Sequence, residues 1–93
     1  MMELFWTPEA TQDRDAIHEY IAAHNPSAAL TLDELFSEKA GGLTGYPDMG
    51  RPGRIADTRE LVVHRNYILV YDVTSSRVRV LRILHAARQW PPA

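Results

Sequence analysis

Apolar residues recur with a helical period through the first half of the chain and with a period of two through the second. The change falls at TGYPDMGRPGR, residues 44 to 54. Ahead of the helical part, ELFW (Glu3 to Trp6) is short, apolar and aromatic, and predicts an opening strand. Thr7 supplies an N-cap, Pro8 the first helical position, and Glu9 an acid where the helix dipole favours one. A helix from Pro8 to about His24 places Ala10, Ile17, Tyr20, Ile21 and His24 on one side, with Asp13, Asp15 and Glu19 largely outside it. Asn25 and Pro26 repeat the cap-and-proline signal. They predict a second helix that runs to about Ala40, ends at Gly41 and Gly42, and buries Ala28, Leu32, Leu35, Phe36 and Leu43. Almost no linker separates the two helices, so they fold back as a hairpin.

Residues 44 to 54 hold three glycines and two prolines and predict a loop. Beyond it, TRELVVHR, NYILVYDV and RVRVLRILH alternate or carry β-branched and aromatic residues, with turns at Arg65-Asn66 and Thr74-Ser75-Ser76. The expected fold is α+β, in the order β-α-α-β-β-β. A helical hairpin packs on one face of a small, mostly antiparallel four-stranded sheet and leaves the other face open.

Composition agrees with one folded domain over residues 1–93, at 45% apolar and 24% charged residues. Without cysteine, disulfides and thiolate metal sites are excluded, and a reducing cytoplasm is the expected location. No stretch approaches the length of a membrane span or a signal peptide, so no membrane contact is expected. Charge changes the picture more. Residues 1 to 50 carry two cations against nine acids, whereas residues 51 to 93 carry eight arginines against three acids. Such asymmetry, built from the side chain suited to bidentate contact with phosphate or carboxylate, points to a polyanion or an acidic partner on the basic half.

Within that half, Arg59, Arg79 and Arg82 fall in strands, Arg51 and Arg54 on the loop leading in, Arg65 at a turn, and Arg88 beyond the last strand. Arg82 interrupts the apolar run VLRIL, where a charge needs either an ion-pair partner, Asp72 or Glu60, or an anionic ligand. His85 ends the same strand and is a candidate general acid or base; the alternative is a packed or capping histidine. Tyr67 and Tyr71 share a strand face and either stack on bases or fill the core. No histidine and acid set has metal-ligand spacing, and no glycine loop cradles phosphate, so neither metal nor cofactor is expected.

WTPEA at the start, GRPGRIADTREL in the middle and LHAARQWP at the end, in this order of elements, resemble the RelE/ParE superfamily of toxins from bacterial type II toxin–antitoxin pairs. The resemblance implies a cognate antitoxin whose extended segment wraps the toxin as a hetero-oligomer. It also implies one of two targets. RelE-like members cut mRNA in the ribosomal A site, and ParE-like members inhibit DNA gyrase without RNase chemistry. Carried onto this chain, Arg59 and Arg82 resemble phosphate ligands and His85 the acid/base of a metal-independent endoribonuclease. Arg51, Arg54, Arg65 and Arg88 resemble RNA contacts, and Arg51, Arg54, Arg59 and Arg82 antitoxin contacts. An mRNA interferase is the leading expectation; the alternatives are a gyrase inhibitor and an inactive member that only binds antitoxin.

Overall fold

The structure, a computed structural model, describes residues 2–87 together with Trp90 and Pro91, so Arg88 lies outside the described residues. Strand β1 (Glu3–Trp6) leads into helix α1 (Pro8–Ala22) and helix α2 (Pro26–Gly42); strands β2 (Arg51–Pro52), β3 (Arg59–His64), β4 (Tyr67–Val73) and β5 (Arg77–His85) follow. They form one five-stranded sheet in the order β1-β5-β4-β3-β2, with β1 parallel to β5 and the other pairs antiparallel. The expected α+β architecture is present with one strand more than expected. The added strand, β2, comes from the presumptive loop, where two residues pair with Glu60 and Arg59 on the sheet edge. An edge tolerates Pro52 because its missing N–H faces no further strand.

Both helix starts are capped as the sequence predicts: Thr7 accepts from the Ala10 N–H and Asn25 from the Ala28 N–H, each at 3.1 Å. α1 stops earlier than expected, at Ala22 rather than His24, because the residue before Pro26 is driven out of the helical region and Asn25 is extended at φ −153°. α2 ends at Gly42, as expected, and Leu43 just beyond it is fully buried in the core. Arg14 ties the hairpin together: its Nε and Nη2 donate to the Asp33 carboxylate at 2.6 and 3.0 Å, and its guanidinium lies 4.8 Å over the Trp6 ring.

The core lies between the hairpin and one sheet face. Ala10, Phe36, Ala40 and Leu43 meet Leu61, Val63, Leu69, Tyr71, Val78, Val80 and Ile83. Val80 and Ile83 are three apart yet both join this core because Leu81 is an extra residue against β4, between the pairs Tyr71–Val80 and Val70–Arg82. Several residues expected in the core are not there. Tyr20 is 73% exposed, and His24 and Ala28 are exposed. Helix α2 buries Phe36 as expected, with Ala29 and Ala40 besides, and Leu32 and Leu35 are only half-buried. These exposed and half-buried hairpin positions border a groove between the hairpin and the sheet.

Candidate functional site

The described arginines of the basic half do not gather into one cationic surface. At the β2 end of the sheet, Glu60 is buried and its carboxylate sits opposite Arg51 Nη2 at 3.3 Å and Arg54 Nε at 3.5 Å, while accepting from the Arg54 backbone N–H at 3.0 Å. Arg59, next to it on β3, turns the other way. Its Nη1 donates to the carbonyls of Gly50 at 2.6 Å and Asp48 at 3.3 Å, bracing the segment before β2. Tyr71 completes that brace from the core: its hydroxyl accepts from the Gly50 N–H at 2.9 Å and donates to the Pro47 carbonyl at 2.8 Å. Burial raises its pKa above the ordinary 10.0, so the hydroxyl stays a donor at neutral pH. Gly50 is required at this approach, because a Cβ there would lie 2.7 Å from the Tyr71 hydroxyl and 2.9 Å from the Glu60 carbonyl oxygen.

Arg82 has a partner that neither of the expected acids provides. Its Nε and Nη2 donate to Asp13 on α1 at 2.7 and 3.0 Å, and Asp13 Oδ2 also accepts from the Ile83 N–H at 3.0 Å. β1 covers β5 only as far as Val80, so the remaining β5 edge needs other partners. Thr7 donates to the Leu81 carbonyl at 2.9 Å and Asp13 takes the Ile83 N–H, so side chains replace a strand. Hydrogen bonding to Asp13 raises the Arg82 pKa, with burial opposing it, and the guanidinium stays charged. Its outer side lies 5.5 Å from the Trp90 ring. Asp13, expected outside the buried side of α1, therefore faces the sheet; its spacing three after Ala10 and four before Ile17 is the signal that placed it there.

Nor is the sheet face away from the helices an open anion surface. Ile68, Val70 and Leu84 alternate onto it and are buried, and Arg79 is held by Asp72 on the neighbouring strand, with Nε donating to Oδ1 at 2.8 Å. Arg65 stands exposed in the two-residue turn between β3 and β4.

His85 lies at the opposite end of β4 from Arg59. It pairs with Tyr67, whereas Arg59 pairs with Tyr71, and four residues of strand separate those tyrosines by about 13 Å. His64, on the other side of Tyr67, completes an aromatic cluster not foreseen from the sequence. Ring centroids of His64 and His85 lie 6.2 and 5.5 Å from that of Tyr67, and Phe36 packs edge-on to it at 5.8 Å. Both histidines are fixed alike: His64 Nδ1 accepts from the Asn66 N–H and His85 Nδ1 from the Ala87 N–H, each at 3.2 Å. A neutral ring held this way carries its proton on Nε2. Burial, and secondarily Tyr20, raise the Tyr67 pKa above 10.0.

This cluster closes one end of a groove of about 930 Å³. It is lined by Ala16, Ile17, Tyr20 and Ile21 from α1, by Ala28, Thr31, Leu32 and Leu35 from α2, and by Asp13, Asn66 and Ile83. The groove is mostly apolar, with Asp13, Tyr20, Thr31, His64, Asn66, Tyr67 and His85 as its polar lining residues. Among the described residues, no three histidines or acids gather as metal ligands would, and no helix is long and apolar enough to cross a membrane.

Comparison with known proteins gives a consistent picture. The family described as the ParE toxin of the type II toxin–antitoxin system parDE matches residues 4–90. A putative toxin, Y4kP, of Sinorhizobium fredii is 40% identical over 87 residues, 92% of this chain and 90% of that protein. Toxin RelE2 of Caulobacter vibrioides is 39% identical over 88 residues, 95% of this chain and 99% of its own. Among solved structures, a chain of the chromosomal ParDE toxin–antitoxin system from P. aeruginosa superposes with a TM-score of 0.82 at 28% identity, covering 91% of this chain and 96% of that one.

Proposed function

This chain belongs to the ParE toxin family, within the RelE/ParE superfamily of type II toxins, and from that premise we propose that it arrests growth by binding a protein, DNA gyrase, and not by cutting mRNA. Its partner is a cognate antitoxin, in keeping with the solved relative from a ParDE toxin–antitoxin system.

The observation that carries this reading is the dispersal of the groups an RNase would need. Attack of a ribose 2′-OH on its phosphate requires a base near the hydroxyl and cations on the same phosphate, all within hydrogen-bond reach of one reacting centre. Here His85 and Arg59 are separated by about 13 Å along the strand, in addition to the spacing across β4. Arg82 and Arg59 are bound within the chain, one to Asp13 and the other to two backbone carbonyls. His85 instead borders an apolar groove. A chain with one lysine, Lys39, also lacks the lysine-rich surface expected of a ribosome-directed nuclease.

The test is direct. Purified protein is added to gyrase and relaxed plasmid, and separately to a translation-competent ribosome with a defined message. Inhibited supercoiling with an intact message is the expected result. Message cleaved in the A site, with supercoiling unaffected, returns Arg59, Arg82 and His85 to catalytic roles.

A further inference from the structure

Where β3 turns into β4 and β5 ends, one connected set of hydrogen bonds closes the sheet, and two imidazoles belong to it. The Asn66 N–H donates to His64 Nδ1 at 3.2 Å, the Asn66 carbonyl accepts from the Ala86 N–H at 2.7 Å, and the Ala87 N–H donates to His85 Nδ1 at 3.2 Å. Each ring thus binds the backbone two residues after itself, one in the turn and the other just past β5. Asn66 joins the two halves, because His64 takes its N–H while its carbonyl holds Ala86. The Ala86 bond carries the β4–β5 pairing one residue beyond Tyr67–His85.

Both ring contacts require a bare Nδ1. A neutral imidazole has one acceptor nitrogen and an imidazolium has none. A proton taken from solvent at Nδ1 turns each acceptor into a donor that faces a backbone donor, so both bonds break. His64 and His85 are exposed, and no core residue has to move for that proton to arrive.

The groups around the rings leave this chemistry to them. On β4, burial holds the Tyr67 phenol in its protonated form above the ordinary 10.0. On α1, Asp13 and Tyr20 line the same groove; Asp13 is engaged by Arg82, and Tyr20 lies edge-on to His24 at 6.4 Å between centroids. From α2 the groove receives Ala28, Thr31, Leu32 and Leu35, none of them titratable near neutral pH, and the Asn66 side-chain amide is neutral as well. Arg65, exposed in the turn, stays charged throughout.

We infer that His64 and His85 form a pH-sensitive clasp: neutral, they fix the β3–β4 turn and the direction in which the chain leaves β5, and their protonation releases both. Histidine changes charge between about pH 5 and 8, so the clasp is closed at the upper end of that range and open at the lower. Ala86 reports on it best, since its N–H touches neither ring and feels them only through Asn66 and the neighbouring Ala87. The clasp stands independently of the toxin's target.

NMR of the isotope-labelled full chain, titrated from about pH 8 to about pH 5, reads rings and backbone together. Long-range ring correlations are expected to show both imidazoles as Nε2–H tautomers at the upper end. As the rings charge, the Asn66 and Ala87 amide protons should move upfield with the ring midpoints. Hydrogen-exchange protection of the Ala86 N–H, corrected for the intrinsic rate, should fall about tenfold or more. Two double variants separate the clasp from a general effect of acid. His64→Asn/His85→Asn supplies a side chain that accepts from the N–H two residues on and does not titrate, so Ala86 should stay protected at both ends of the range. His64→Phe/His85→Phe keeps a ring beside Tyr67 without an acceptor, so Ala86 should be weakly protected throughout. Rings that charge without moving the Asn66 and Ala87 amides, Nδ1–H tautomers at the upper end, or the same fall in Ala86 protection in His64→Asn/His85→Asn would each overturn the inference.

Discussion

Removing the Asp13 carboxylate should destabilise the fold far more than an exposed ion pair would. In Asp13→Ala, three contacts disappear together: two charged hydrogen bonds from Arg82 at 2.7 and 3.0 Å, and one from the Ile83 N–H at 3.0 Å. The Ile83 N–H, on a β5 edge that β1 no longer covers, is left without a partner, at a cost of about 1–3 kcal/mol. Breaking a fully buried ion pair costs about 3–5 kcal/mol, but Arg82 retains 25% side-chain exposure, and water recovers part of its solvation. A total of about 3 kcal/mol follows, equivalent to a fall in Tm of roughly 12–24 °C for a domain of this size. Asp13→Asn can keep the oxygen that accepts from Ile83 and Arg82 Nε but loses the charge and the oxygen that accepts from Arg82 Nη2, so about half that effect is expected. Urea unfolding of Asp13→Ala, Arg82→Ala and the double variant gives the coupling directly. A loss below about 1 kcal/mol for Asp13→Ala, or additive losses in the double variant, would refute the claim that Asp13 and Arg82 act as one unit at this edge.

Three further outcomes follow from other contacts. Glu60→Ala should cost about 2–4 kcal/mol, because the side chain is 2% exposed and the Arg54 N–H loses its acceptor; Arg51→Ala and Arg54→Ala, 55% and 42% exposed, should each cost under about 1 kcal/mol by chemical denaturation. Equal losses at the three positions would contradict the assignment of Glu60 as the buried hub. Gly50→Ala should destabilise by about 1–3 kcal/mol in the same assay, since its Cβ meets the Tyr71 hydroxyl at 2.7 Å and Glu60 backbone at 2.9 Å; an unchanged midpoint would show that the approach is not tight. Tyr67 and Tyr71 hold their phenolic protons more tightly folded than unfolded, so their contribution is complete below pH 10.0 and is lost as pH rises through the folded values. The urea midpoint should drop as the pH rises above 10.0, and Tyr71→Phe should lessen that drop; an unchanged midpoint above pH 10.0 would contradict the burial assigned to both rings.

Local signals in the sequence carried most of the fold. Thr7-Pro8 and Asn25-Pro26 start the helices by a mechanism that needs no tertiary contact, and the Arg65-Asn66 turn lies where the alternation breaks. Features that depend on a distant partner were not legible. Leu81 is an extra residue only relative to β4, and Arg51–Pro52 is a strand only because Arg59 and Glu60 lie beside it. The candidate site failed to emerge for the same reason. Arg82 and Asp13 are 69 residues apart, and nothing in VLRIL specifies that acid over Asp72 or Glu60. Tyr20 and Ala28 satisfy a helical apolar pattern whether a sheet covers them or a groove leaves them open, so the pattern alone assigned them to the core. The charge asymmetry was real, but most of the arginines behind it have partners within the chain.

The most direct test of a protein-directed toxin is brief induction of wild-type and His85→Ala proteins without antitoxin, in cells pulse-labelled in parallel for DNA and protein synthesis. The account predicts that DNA synthesis stops first, with intact message and an SOS response, and that His85→Ala remains toxic. Immediate arrest of translation with cleaved mRNA, abolished by His85→Ala in a protein that still folds, would contradict it.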